Sequence, residues 1–474
     1  MDTLQHFYIN GQWATPSAGC TQHDIINPAT EESVGSLPMA DAADIDAAIA
    51  AAHAAFPAWS ETPLETRLGY LEKILGLYQE KLPEMAQAIS QEMGAPIGLA
   101  TNLQAPVGMM HIANNLEVAR NFTFEEPHGS SIIRHEPAGV CALITPWNWP
   151  MNQVMCKLAP ALAVGCTVVL KPSEFAALSA NVLAQIIDAA GLPAGVVNIV
   201  YGDGAKVGPQ LSSDPRIDVV SLTGSTRAGI SVSQEAATTI KRVSLELGGK
   251  SANILLPDCD LEAAVTHGVR AMMNNTGQSC NAPSRMLVPA DKLAEAEAIA
   301  ANVCQTIKVG DTTDEATEIG PIANGRQYQR VLSLIEQGVK EGAKLVCGGT
   351  ERPAGLDKGY YVQPTVFSEA NNDMTIAREE IFGPVLTMIP YQELDEAVAI
   401  ANDTVYGLSG YVFGEPELAR SVANRLRTGN VHLNGAAPDF TAAFGGYKQS
   451  GVGREWGKYG FDEFLEVKAL FQPA

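Results

Sequence analysis

Positive charge is scarce in this 474-residue chain: 31 lysines and arginines stand against 53 aspartates and glutamates, a formal net charge of −22. That balance excludes nucleic acid as a partner, which needs a basic face, and leaves room only for a local basic spot that could hold a phosphate. Charge of either sign is also below the ~25% of an average domain, at 18%, while 46% of residues are hydrophobic. A disordered bulk is thereby excluded, and the length suits about three domains of ~150 residues. Long apolar runs are missing. The longest, Leu158 to Leu170, has 13 residues between Lys157 and Lys171, short of the ~20 of a membrane helix. The start, MDTLQHFYINGQW, has neither a basic end nor an apolar core, so no signal peptide is expected. The eight cysteines form no CxxC and the eight histidines no HxxxH pair, which argues against a metal site or a disulfide framework and for a reducing, cytoplasmic setting. His128 and His135 could meet across a hairpin, as solvated side chains rather than ligands.

What the chain does contain is alternation. Short strands are expected at 7–13 and 24–35 around an Asn-Gly turn, helices at 44–59, 65–92 and about 98–120, and an exposed strand at 130–136. From Gly139 the character changes. Apolar strands at 139–145, 167–171, 196–201, 219–223 and 241–247 alternate with helices ending near 165, at 176–190, after Gly204 and at 226–237. This pattern predicts a doubly wound α/β architecture with a parallel sheet covered on both faces and ligands at the carboxyl ends of its strands. Gly248-Gly249 reads as a hinge to a second α/β region, with strands at 252–256 and 285–288 and helices at 260–274 and 290–306. Residues 318–359 carry one helix and then a loop, alternation resumes to about 450, and the tail 464–471 reads as a strand for a sheet edge, in this or another subunit.

Several strand ends carry chemistry. Cys280, in Asn275-Thr276-Gly277-Gln278-Ser279-Cys280-Asn281, lies between an amphipathic run and a strand, a perch suited to a thiolate nucleophile, although most cysteines are packing residues. Asn148, in Pro146-Trp147-Asn148-Trp149-Pro150, could donate to an oxyanion or simply cap the next helix. Lys171 and Glu174 suit the hydroxyls of a ribose, and the carboxylate would repel a 2′-phosphate; a capped surface turn is the alternative. Two glycine-rich turns compete for a pyrophosphate. Gly202–Gly208 lacks GxGxxG spacing; Gly224–Gly229 is favoured because it opens a helix and Ser225 can donate. Glu246 sits between two leucines, a general base raised by desolvation or the partner of Lys250 or an arginine.

In this order PWNWP, KPSE, LTGS, LELGGK, GQSC, EEIFGPV and FGGYKQSGVGRE resemble the aldehyde dehydrogenase superfamily of NAD(P)-dependent, non-phosphorylating enzymes, over essentially the whole chain. The separation of 34 positions from Glu246 to Cys280 fits the same family. The resemblance implies a Rossmann-like cofactor-binding domain (1–116 and 138–248), a catalytic α/β domain (249–450) and a β-hairpin oligomerisation arm (117–137 and 463–474), in a homodimer or homotetramer. It implies Cys280 as nucleophile, Glu246 as general base, Asn148 with the Cys280 backbone N–H as oxyanion hole, and Lys157 with Glu455 as a proton relay. For NAD, with NADP as the alternative, it implies Lys171, Ser173 and Glu174 at the adenosine ribose and Gly224 and Ser225 at the pyrophosphate. Glu380 would hold the nicotinamide ribose, with Phe382 beside the ring and Thr145, Pro146, Trp147 and Leu247 completing the bed. Trp149, Gln153, Cys156, Ser279, Asn281 and Phe444 would line a substrate tunnel.

Members similar to succinate-semialdehyde dehydrogenases often carry Arg where this chain has Cys156. An uncharged aromatic or medium-chain aliphatic aldehyde is therefore expected, with a semialdehyde, or betaine aldehyde caged by Trp149 and Phe444, as alternatives. A CoA-acylating enzyme is disfavoured by Glu246, and a non-catalytic homologue by the filled catalytic positions.

Overall fold

The computed structural model describes residues 2–473. Its largest sheet has eight strands in the order Gly451–Val452, Arg242–Glu246, Val219–Thr223, Val140–Ile144, Thr167–Lys171, Val197–Ile199, Phe7–Ile9, Gln12–Ala14. The five strands from Arg242–Glu246 to Val197–Ile199 run parallel. Four of them, Val140–Ile144, Thr167–Lys171, Val197–Ile199 and Val219–Thr223, are buried at every residue, as expected of a sheet covered by helices on both faces. The chain lays down Val140–Ile144, moves outward to Val197–Ile199, then returns to place Val219–Thr223 on the other side of the first strand. Ligands bind at such a reversal of strand order.

A second sheet of seven strands runs Lys344–Cys347, Thr365–Ser368, Val385–Tyr391, Arg285–Pro289, Ala252–Leu255, Ser409–Phe413, Asn430–Leu433. Leu465–Phe471 pairs with Ser131–Pro137, which pairs with Glu125–His128. The two larger sheets are joined directly through Gly248 and Gly249. Neither has the positive φ of a flexible turn; they are small because of what passes beside them. A Cβ on Gly249 would lie 2.2 Å from the Cys280 carbonyl oxygen, and one on Gly248 would lie 2.6 Å from a Glu380 carboxylate oxygen.

Several expected elements need correction. The strand expected at 24–35 is a hairpin, Thr21–Asn27 with Glu32–Met39, since Pro28 and Glu31 at φ 57° turn the chain between them. The helix expected at 65–92 breaks into Leu64–Glu80 and Leu82–Met93, because Pro83 cannot donate within a continuous helix. At 98–120 a π-turn, Ala100–Gln104, precedes Ala105–Asn121; Pro106, in the first turn of the latter, removes an N–H and widens the coil. The strand Lys344–Cys347 was not anticipated: an edge strand with exposed residues carries a weak apolar signal. His128 and His135 do not meet, since register places His128 opposite Ser131 and His135 opposite Val467.

All eight cysteines are free. Among the described residues no helix is long and apolar enough to cross a membrane, and no group of three His, Cys, Asp or Glu could hold a metal.

Candidate active site

Parallel register brings the candidate strand-end residues to one edge. Thr223 pairs with Glu246, Leu222 with Ile144, and Ile144 with Lys171. The segment 146–149 and the turn at Gly224-Ser225 therefore leave the sheet side by side at the reversal point. Ser225 caps the helix Thr226–Ala236, accepting from the Ala228 N–H at 3.3 Å. The competing turn opens a helix whose cap is the Asp203 carboxylate, a negative group where a phosphate would have to sit. The Gly202 carbonyl in that turn instead accepts from Lys171 Nζ at 2.9 Å, and Lys171 Nζ lies 3.8 Å from Glu174. Ser173 caps the short turn that follows, accepting from the Phe175 N–H.

Asn148 does not cap a helix. The cap of Pro150–Val164 is Trp149, without a side-chain bond. Asn148 Nδ2 donates to the Gln278 carbonyl at 3.0 Å, two residues before Cys280. The approach to Cys280 is strained, with Asn275, Thr276 and Gly277 all in the left-handed region at φ 52°, 57° and 69°. A β-branched residue there costs about 1–3 kcal/mol and persists only when its surroundings hold it. Here they do. Asn275 Nδ2 donates to the Asn148 carbonyl at 2.8 Å, Gln104 Nε2 to Asn275 Oδ1 at 2.8 Å, Thr276 Oγ1 to the Gly320 carbonyl at 3.1 Å, and the Ala323 N–H to Gln278 Oε1 at 2.9 Å. Sequence reading missed Gln104 and Gln278 as supports. Gln278 adjoins the cysteine, but nothing in the pattern ties Gln104 to a loop 171 residues away.

Half-buried Cys280 is shared by the walls of two clefts. The first, about 770 Å³, is lined by Pro146, Trp147, Asn148, Gly224, Ser225, Leu247, Glu380 and Phe382, and also by Thr223, Arg227, Arg326 and Arg330, which were not anticipated. The Trp147 and Phe382 rings meet edge to face at 5.4 Å. Thr145, Lys171, Ser173 and Glu174 stand on the neighbouring strand ends outside this wall. The residues present fit a dinucleotide. The start of an 11-residue helix offers N–H groups to a diphosphate, the Thr223 hydroxyl is buried without a partner, and Glu380 is anchored by the Gly249 N–H at 3.0 Å. Burial pushes Glu380 up to about 7 despite that bond, and pushes the neighbouring Lys250 ammonium down to about 7.

The second cavity, about 510 Å³, is lined by Trp149, Gln153, Ser279, Asn281 and Phe444 together with the unanticipated Tyr411, His432, Phe440 and Trp456. Trp456 stacks on Phe444 at 4.4 Å. Among the described residues no Asp, Glu, Lys or Arg lines it. Cys156, expected on this wall, stands behind it: its side chain is buried and turned to Glu455.

Glu246 is buried, and among the described residues neither of its oxygens has a partner. It is not the ion-pair partner of Lys250, whose Nζ is also unpaired. Its carboxylate points to Gly445, where a Cβ would come within 2.6 Å. Burial and then Glu455 hold its pKa well above the usual carboxylate range, against the pull of Lys157 and Arg454. Lys157 and Glu455 form a buried ion pair. Burial, Glu380 and Glu246 together push the Cys280 thiol up.

A sequence model of the aldehyde dehydrogenase family matches residues 13–470. The chain is 58% identical to a 3-succinoylsemialdehyde-pyridine dehydrogenase from Pseudomonas sp, covering 99% of both chains. It superposes with a TM-score of 0.98 on a mutant aldehyde dehydrogenase C from Pseudomonas syringae complexed with NAD+ and octanal, at 53% identity and 100% and 98% coverage of the two chains. With an aldehyde dehydrogenase from Mycobacterium tuberculosis complexed with NAD+ the TM-score is 0.96, at 41% identity and 99% and 98% coverage.

Proposed function

The chain belongs to the aldehyde dehydrogenase family, and from that premise we propose how it divides the NAD-dependent oxidation of an aldehyde to a carboxylic acid among its own residues. The observation that carries the reading is Cys280, common to the wall of a charged cleft and the wall of an uncharged one. Its sulfur attacks the aldehyde carbon, and the Asn148 amide and the Cys280 N–H stabilise the oxyanion of the thiohemiacetal. Because burial disfavours the thiolate, the thiol proton needs an acceptor. Solvent, which reaches the half-buried sulfur, takes it as the carbon–sulfur bond forms. Bound NAD supplies the nicotinamide ring that takes up the hydride. Glu246 then turns from Gly445 towards Cys280 and deprotonates the water that hydrolyses the thioester. Lys157 and Glu455 lie behind it as the relay.

In the charged cleft, Ser225 and the helix start hold the pyrophosphate and Glu380 the nicotinamide ribose, while Lys171 and Glu174, on the neighbouring strand end beyond its wall, hold the adenosine ribose. Glu174 disfavours a 2′-phosphate, so NAD is preferred over NADP. The substrate is an uncharged aldehyde with a ring or a medium-length chain. The uncharged, aromatic-lined cavity supports this, as do the pyridine in the relative's name and the octanal in the neighbour's complex. Exposed Val467 and Phe471 on Leu465–Phe471 support pairing of that strand with a neighbouring subunit in a homodimer or homotetramer. The free cysteines support a cytoplasmic setting.

The test is NADH formation by absorbance with octanal, hexanal, benzaldehyde, a pyridine-bearing aldehyde, succinic semialdehyde and betaine aldehyde, with NAD and NADP in parallel. Neutral aldehydes with NAD give the highest kcat/KM. A faster charged aldehyde would overturn the substrate assignment, and a CoA-dependent acyl product would overturn hydrolysis.

A further inference from the structure

Cys156 belongs to the helix that lines the aldehyde cavity, yet its thiol faces the other way. The side chain is 2% exposed, and its sulfur lies 3.2 Å from Glu455 Oε2. The alternative acceptor, the Gln153 carbonyl one turn back, is 3.5 Å away. One S–H can serve only one of them, and the carboxylate, paired with Lys157, is both the nearer and the stronger acceptor. Glu455 Oε1 meanwhile accepts from Lys157 Nζ, so each oxygen of this buried carboxylate has its own donor. On its other side Cys156 packs with Leu408, Phe444 and Trp456, against which Cys280 rests. It therefore forms the partition between the nucleophile's cavity and the ion pair.

We propose that Cys156 is a positioning residue of the hydrolytic half of the reaction: its S–H, donated to Glu455 Oε2, holds that carboxylate on Lys157 and away from Glu246. The inference rests on the aldehyde-oxidising reading above. Without the donor, Oε2 would be left buried and unpartnered, free to turn towards Glu246, whose pKa the Glu455 charge already raises. Glu246 gives up its oxygens to no other group, so its readiness to take a proton from water depends on where the Glu455 charge is held. Loss of the S–H should therefore fall on proton removal during thioester hydrolysis, and leave aldehyde attack and cofactor binding alone.

The test compares wild type, Cys156→Ala and Cys156→Ser by rapid-mixing and steady-state kinetics, with an infrared arm that needs no turnover. Cys156→Ala keeps the first-turnover rate of NADH formation, slows steady-state kcat by about three- to tenfold, the scale of one weak donor to a charged acceptor, and displaces the kcat–pH profile. Cys156→Ser, whose hydroxyl can donate to the same oxygen, restores kcat and the profile. In the infrared difference between wild type and Cys156→Ala, the Cys156 S–H stretch lies at the low frequency of a strongly donating thiol and moves up in Glu455→Gln. Unchanged kcat and pH profile in Cys156→Ala would overturn the proposal. So would equal slowing in both variants through KM for aldehyde, which would mark a packing role, or an S–H band insensitive to Glu455→Gln. If wild type forms no NADH with any aldehyde, the functional reading fails instead, and the infrared arm still decides the contact.

Discussion

The two clefts that meet at Cys280 are built from opposite materials. The larger is bordered by Arg227, Arg326, Arg330, Glu379 and Glu380; the smaller has Trp149, Tyr411, Phe440, Phe444 and Trp456 and no charged side chain among its described lining. A cofactor with phosphates and ribose hydroxyls needs donors, acceptors and counter-charge. A reacting carbonyl needs a dry wall, so that the few dipoles aimed at its oxygen act in a low dielectric. Glu246 and Glu455 repeat the contrast on a smaller scale. Both are buried carboxylates, but Glu455 is held by Lys157 and Cys156 whereas Glu246 has no partner. An unpartnered buried acid stays ready to accept a proton, because burial disfavours its charge.

Removing what the clefts share should have the largest effect. Cys280→Ala lowers kcat by at least about 10³-fold while NAD binding, followed by calorimetry, is retained; retained turnover would break the link between the clefts. Next is the difference between the carboxylates. Glu246→Gln lowers kcat by about 10²-fold or more, and the pH dependence in which wild-type kcat rises as Glu246 ionises disappears. The same group sets a stability difference. Burial raises its folded pKa, so its contribution is fully present below its unfolded value and is lost as pH rises through the folded one. The thermal midpoint of Glu246→Gln relative to wild type should therefore climb with pH, by ~2 °C for each kcal/mol relieved; a pH-independent difference would contradict the burial argument. The smallest effect comes from carrying charge across the partition. Phe440→Arg, at the half-buried mouth of the uncharged cavity, lowers kcat/KM for hexanal by about tenfold and raises it for succinic semialdehyde. No change in their ratio would show that the cavity's neutrality does not select the substrate.

Legibility followed the range of the interactions. The strand ends at Thr145, Lys171, Thr223 and Glu246 were readable because buried parallel strands are continuous apolar runs, and the residue after each run is at the ligand edge. Cys280 was readable as a lone cysteine among small polar neighbours, but its strained approach was not, since Gln104 and Gly320 come from distant segments. Asn148 had two readings until the helix cap fell to Trp149. Glu246 had two until Lys250 was found facing elsewhere. Cys156 was assigned to the tunnel because its helix lines it; only packing shows that the thiol points to Glu455.

Sequence by itself determined the doubly wound architecture, the acidic character of the chain, the lack of an apolar run long enough for a membrane helix, and which side chains end the central strands. These depend on local periodicity and composition, which survive without coordinates. Tertiary structure alone decided which partner each buried polar group has, that Gly248 and Gly249 clear a path for Cys280 and Glu380, and that the cavity beside the nucleophile is aromatic and uncharged. Those properties are set by side chains far apart in the chain meeting at contact distance, where a shift of one or two ångströms exchanges one hydrogen-bond partner for another.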